Sequence, residues 1–177
     1  MPDSPHDRAY LATLWTYERR PALAGAQAAL FCRVLGQSRG RLGFLLHAYV
    51  VLPDRARVIL ATPDGDPRSA AAIVQRIKTR FARELHARHG WPGRVFRDDA
   101  PLATVQGTAA IERRAEALHR DPVTAGLARH ARAWIWSSQK AWSGTAGSPA
   151  EVDLPLGPGA RRATLARPAR GGDALSG

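Results

Sequence analysis

Two apolar runs, GFLLHAYVVL and RARVILAT, lie on either side of Pro53-Asp54 and are rich in Val, Ile and Leu. Runs of this kind separated by a turn dipeptide pair as neighbouring strands, so the chain is committed to a sheet that must bury at least one face. The second strand opens unusually. Arg55 and Arg57 flank Ala56, and residues two apart on a strand project to the same side. Two guanidinium groups therefore stand together where an apolar pair is the ordinary choice.

The segment DGDPRSAAAIVQRIKTRFARELHARHG that follows has the clearest helix signals: Asp66 can cap, Pro67 suits the first helical position and Gly90 closes the helix. Ile73, Ile77, Phe81 and Leu85 recur four apart as an apolar stripe. Arg76, Arg80 and Arg83 form a basic row elsewhere on the cylinder, and these three with Lys78 are candidates for phosphate contact, a solvated helix face being the competing reading. Upstream, AYLATLWTY alternates as a strand, and RRPALAGAQAALFCRVLGQ predicts a helix with Pro21 in its first turn and Gly36 and Gly40 ending it. Downstream, WPGRVFRDDAPLATVQG gives a turn, a strand and a loop. TAAIERRAEALHRD predicts a helix that Pro122 interrupts, and WIWSSQKAW a short cap whose aromatics pack rather than stack on bases.

The order strand, helix, strand, strand, helix, strand, helix predicts an α+β domain of ferredoxin-like or RRM-like type, a small antiparallel sheet with helices on one face. Residues 1–8 are expected to be a disordered extension and 9–145 the domain. Residues 146–177, dominated by Gly, Pro, Ala and Ser, are expected to be a disordered tail dispensable for folding.

The chain has 177 residues, a formal charge of +11 and an isoelectric point near 11.3. Arginine dominates, since Lys78 and Lys140 are the only lysines, and heavy Arg and Ala usage also follows from a GC-rich genome. Location matters more than the total. Residues 146–177 carry only +1, which leaves +10 on residues 1–145, and a folded surface that basic suits a polyanion, nucleic acid first. Cys32 is the single cysteine, so an internal disulfide and a multi-cysteine metal site are excluded. No apolar run approaches the roughly 20 residues that span a bilayer, and MPDSPHDRAY lacks a signal-peptide core, so a cytoplasmic location and no membrane partner are expected.

Three stretches together resemble the single-tyrosine HUH transposases, and within them the REP-associated tyrosine transposases. AYVVLPDRARVIL is similar to the family's strand-turn-strand YVVMPNHVHLL, and IVQRIKTRFARELHARHG to its basic helix. LHRDPVTAGLARHARAWIWSS is similar to its IHLNPVRAGLV…YPWSS segment. The resemblance spans roughly residues 44–142. It implies a fold that cuts single-stranded DNA beside hairpins, with two histidines one residue apart and a polar side chain of the last helix holding a divalent metal against the scissile phosphate. A tyrosine of that helix attacks phosphorus.

The positions that match the two histidines are Arg55 and Arg57, and a guanidinium offers a metal no lone pair. The position that matches the tyrosine is Ala117, and the remaining polar ligand matches Asp121. Tyr10, Tyr17 and Tyr49, the only tyrosines, lie on the first strands or turns. The resemblance therefore implies a catalytically inactive member with no divalent metal, which binds single-stranded or hairpin DNA through Arg55, Arg57, Arg76, Lys78, Arg80, Arg83, Arg113 and Arg114. Cleavage through other residues and an RNA-binding or regulatory role are the alternatives. For Arg55 and Arg57, pairing with Asp54, Asp98 or Asp121 competes with direct phosphate contact. His47, His119 and His130 are scattered, and His86 with His89 has no carboxylate partner in the pattern, so none is expected to hold a metal.

Overall fold

The computed structural model describes residues 8–155. Four strands, β1 (Arg8–Trp15), β2 (Leu45–Leu52), β3 (Arg55–Ala61) and β4 (Leu102–Gln106), form one antiparallel sheet in the order β2-β3-β1-β4. α1 (Ala26–Leu42) follows β1 and α2 (Pro67–His89) follows β3, which is the ferredoxin-like arrangement predicted. Tyr10, Ala12 and Leu14 of β1, and Ala56, Val58 and Leu60 of β3, pack with Phe31, Leu35, Ile77 and Phe81 of these two helices. Expectation and structure agree on that face. The opposite face is covered too, because Leu11, Val50 and Ile59 pack under Ile111, Ala115 and Leu118 of α3 (Thr108–Thr124).

α2 starts and stops where its caps require: the Asp66 carboxylate accepts from the Arg68 N–H at 2.8 Å, Pro67 follows, and Gly90 closes the helix at φ 58°. The other helix ends depart from expectation. α1 begins five residues after Pro21 and runs through Gly36 and Gly40 to a left-handed Gly43. Gly36 faces Ala150, and a Cβ there would meet that side chain at an ordinary contact distance of 3.5 Å, so neither space nor backbone conformation demands glycine at this position. Pro122 lies inside α3 rather than ending it; the turn after it is held by Leu127 and Ala128 donating to the Pro122 carbonyl.

The predicted tail boundary at residue 146 needs correction. Ala150 and Val152 are buried in the α1/α2 core. Asp153 accepts from Arg39 Nε at 2.7 Å and from the Leu46 N–H at 2.9 Å, while its own N–H donates to the Leu46 carbonyl. Ala150, Val152 and Leu154 alternate with Glu151 and Asp153, a strand-like signal too short to stand out from a Pro- and Gly-rich background. Residues 146–155 are part of the fold, and the rest of the predicted tail, 156–177, lies outside the described residues. So do 1–7 of the predicted extension, whose last residue, Arg8, opens β1.

Residues 134–142, ahead of the 146–155 segment, also cover the outer edge of β2. Val51 N–H donates to Trp136 O and Ser138 N–H to Tyr49 O, the Ser138 hydroxyl accepts from the Tyr49 N–H, and the Trp134 and Trp142 indoles donate to Val51 O and His47 O. The aromatics of the cap therefore do pack, with α4 (Gln139–Trp142) running on from them. His119 of α3 is buried against this cap, its Nε2 2.8 Å from Ser138 Oγ, and burial pulls its pKa from an ordinary 6.5 to about 4.

Two outcomes follow. A chain ending at Thr145 should melt below one ending at Pro155 by on the order of 6–12 °C in a thermal scan, since Val152 burial and the Asp153 bonds together are worth about 3 kcal/mol. Acidification should also destabilise through His119. The unfolded imidazole takes a proton below about 6.5 and the folded one only near 4, so stability falls by up to ~3 kcal/mol as pH drops across that window. His119→Gln should flatten the melting temperature against pH there, as read by calorimetry from pH 7 to 4.

Candidate nucleic-acid interface

Ala56, Val58 and Leu60 point into the α1/α2 core, so alternation turns Arg55 and Arg57 to the α3 side. Register sets Arg57 between Val50 of β2 and Thr13 of β1, and Arg55 between Leu52 and Trp15. Arg57 Nη1 donates to Asp121 Oδ2 at 2.7 Å, the two side chains being 25% and 17% exposed. Arg55 Nη1 donates to Asp54 Oδ1 at 2.9 Å. Two of the three carboxylates considered for these arginines are the ones used; Asp98 pairs with Arg94 instead. Each guanidinium has five N–H donors, and one carboxylate bond leaves most of them available to an anion.

On α3, Arg113, Ala117 and Asp121 fall four apart and so line one side of the helix. Ala117 is exposed, as are Arg113 and Arg114, which have no ion-pair partner among the described residues. The Ala117 methyl has no atom that attacks phosphorus. Nor do the tyrosines supply one on this helix: Tyr10 is buried and donates to Gly65 O at 2.6 Å, and burial pushes the Tyr49 phenol up in pKa. Tyr17 is half-buried, with the Arg94 guanidinium 5.1 Å from its ring centre. These donors do not fit a divalent cation. Arg55 and Arg57 have no lone pairs to give, Asp121 is engaged by Arg57, and among the described residues no three His, Cys, Asp or Glu side chains gather as a metal site would need.

The basic residues of α2 lie across the sheet from Arg57, so the predicted cations do not form one patch. Lys78 is not a surface cation at all. It is 4% exposed, with Nζ donating to Arg97 O at 2.6 Å and Asp98 O at 3.0 Å, and burial lowers its pKa. Its place beside Ile77 and one turn after Val74 put it in the buried stripe. Arg80 is also committed, to Gln37 and Glu84, with 17% of its side chain exposed. Arg76 and Arg83 remain exposed. An open groove of about 770 Å³ between α2 and residues 94–98 is lined by Arg83, Arg94, Arg97 and Phe96.

Other basic and aromatic side chains, not singled out by the sequence, gather where β1 ends. Arg19 stacks 3.7 Å from the centre of the Trp15 ring and donates to Asp54 Oδ2 at 3.0 Å, and the Arg55 guanidinium is 5.0 Å from the same ring. Arg20 lies 4.7 Å from the Trp91 ring centre. The signal was present: Leu11, Thr13 and Trp15 share the α3-side face of β1, and register pairs Trp15 with Arg55. What hides it is the assignment of Tyr17 to the end of a strand and of Arg19 and Arg20 to the start of a helix, whereas Tyr17–Arg19 is a 3-10 turn with Glu18 and Arg19 at positive φ.

No family model and no curated protein matches the chain. Among solved structures, the chain is similar to a REP-associated tyrosine transposase bound to a REP hairpin. The TM-score is 0.65 at 18% identity, over 88% of this chain and 92% of that one. At that identity the likeness is one of fold. A Deinococcus radiodurans R1 protein carrying a provisional transposase assignment overlaps with 62% of this chain and 89% of its own at 23% identity, but at a TM-score of 0.47 it is too distant in shape to bear on the fold. No helix among the described residues is long and apolar enough to cross a membrane.

The Arg57–Asp121 contact should be measurable as a coupling. In a double-mutant cycle of Arg57→Ala and Asp121→Ala by urea denaturation, the pair should show about 1 kcal/mol of interaction, above an exposed pair because both side chains are mostly buried.

Proposed function

We propose that this chain belongs to the REP-associated tyrosine transposase family, has lost the strand-cutting chemistry, and binds single-stranded or hairpin DNA. The observation that carries this reading is the Arg57–Asp121 pair. At a position that the resemblance gives to a metal ligand stands a fixed cation, held by the carboxylate that the resemblance gives to the same metal. Support comes also from the three matching stretches and from the likeness in fold to a protein whose structure contains a REP hairpin.

In this reading the charge that a divalent ion supplies in the cutting enzymes is supplied by side chains, and no ion is required. Asp121 fixes the guanidinium of Arg57, and Asp54 that of Arg55. The N–H groups left over on each donate to phosphate oxygens, charge-assisted bonds whose directionality suits a tetrahedral anion. Arg113 and Arg114 extend the basic surface along α3. With Ala117 in place of a nucleophile and no lone pair at positions 55 and 57, binding proceeds to no bond breaking.

Incubating hairpin DNA with the protein and Mn²⁺ should yield no protein-linked strand on a denaturing gel. Retention of the hairpin should be strongly salt-dependent, with a log–log slope of roughly −3 to −5 for about four to six neutralised phosphates. A Mn²⁺-dependent adduct would overturn the inactive reading and should map to Tyr17, the tyrosine with solvent access. Stronger competition by a matched RNA hairpin than by the DNA hairpin would move the function to RNA.

A further inference from the structure

We propose that Trp15, Arg19 and Arg55 form a stacking site for one unpaired nucleobase, beside the phosphate positions at Arg55 and Arg57. The inference rests on the DNA-binding reading above and adds to it a requirement for a single-stranded segment.

The indole of Trp15 lies half-buried at the end of β1, on the sheet face that carries Arg55 and Arg57. A large aromatic ring on a sheet face ordinarily packs against apolar side chains. Here guanidinium groups lie over it, Arg19 at 3.7 Å and Arg55 at 5.0 Å from the ring centre. Glu18 and Arg19 both adopt left-handed φ, 53° and 56°, a conformation that L side chains rarely hold at two successive positions and that clusters at binding sites. Asp54 already receives Arg55, so Arg19 brings a second cation to one carboxylate. Its side chain is 57% exposed, so displacing it from the ring breaks only a solvent-screened ion pair and one stacking contact.

A nucleobase is flat and polarisable on both faces, and aromatic rings and guanidinium planes are the two surfaces on which unpaired bases stack. The Arg19 side chain covers the ring as a removable plate. When it opens, a base lies on the indole and Arg19 closes over the other side. Arg55 and Arg57 are about 7 Å apart along β3, so the adjoining backbone phosphates run along the strand away from Trp15.

The test compares one hairpin DNA with and without a five-nucleotide single-stranded extension, by fluorescence anisotropy, on wild type, Trp15→Leu and Arg19→Gly. Arg19→Gly also relieves the left-handed backbone and so preserves folding. With the extension, Trp15→Leu should weaken binding about 5- to 150-fold, as loss of one base–aromatic stack does, with an unchanged salt slope; Arg19→Gly should weaken it at least threefold. The blunt hairpin should change less than twofold in both. Equal losses on both DNAs, or none on the extended one, overturn the stacking site and leave the hairpin reading standing. If Trp15→Leu fails to fold, the Arg19→Gly comparison decides alone. If wild type ignores the blunt hairpin yet a free oligothymidine binds and loses affinity in the Trp15 or Arg19 variant, the stacking site stands and the hairpin reading falls.

Discussion

The period-2 alternation of β3 is the constraint from which the interface follows. Ala56, Val58 and Leu60 must enter the core with α1 and α2, and this choice leaves no freedom at positions 55 and 57: both face α3. A slip of one residue would bury two guanidinium groups against Phe31 and Phe81 and expose the apolar set, so the hydrophobic pattern protects the register. Antiparallel pairing then adds Trp15 and Thr13 from β1 on the same face, while α3, docked by Ile111, Ala115 and Leu118, carries Asp121 to Arg57. Charged groups are placed by apolar ones. The ion pairs adjust orientation within a geometry they do not create.

How much of this could be read from the chain depended on whether the cause was local. The caps of α2, the strand pair around Pro53-Asp54 and the common face of Arg55 and Arg57 are set by neighbours within a few residues, and all appear as expected. The glycines of α1 do not act as breakers, because core packing of Leu30, Phe31, Val34 and Leu35 outweighs the cost of about 1 kcal/mol that each glycine brings to a helix interior. Lys78 was misread for a related reason. Its charge drew attention, yet its helical position beside Ile77 placed it in the core, where the Arg97 and Asp98 carbonyls receive its ammonium. Pairing of Arg57 with Asp121 was foreseen only as one choice among three, because sequence spacing does not decide between partners brought together by tertiary packing.

The cluster at Trp15 shows the same limit from the other side. Residues 17–20 carry two arginines next to a proline, which suits a helix start, but the chain turns there and ties itself to residues 92–95 through Tyr17 N–H to Val95 O and Arg20 to Pro92 O. Three arginine–aromatic contacts of Trp15, Tyr17 and Trp91 result. The contacts at Tyr17 and Trp91 join segments that only the folded chain brings within reach, whereas Arg19 meets Trp15 across four residues through the turn between them.

The covering of β2 by residues 134–154 bears on how copies of this protein can meet. A bare edge strand is a template on which a second sheet can add itself, and folded proteins must block it or use it. Here the outward groups of Leu46, Tyr49 and Val51 are already taken by Asp153, Ser138 and Trp136 of the same chain. Growth of the sheet from that side would first have to peel away Ala150 and Val152 from the core. β4, only five residues long, is the opposite edge, so any sheet shared between two folded copies has one direction in which to extend.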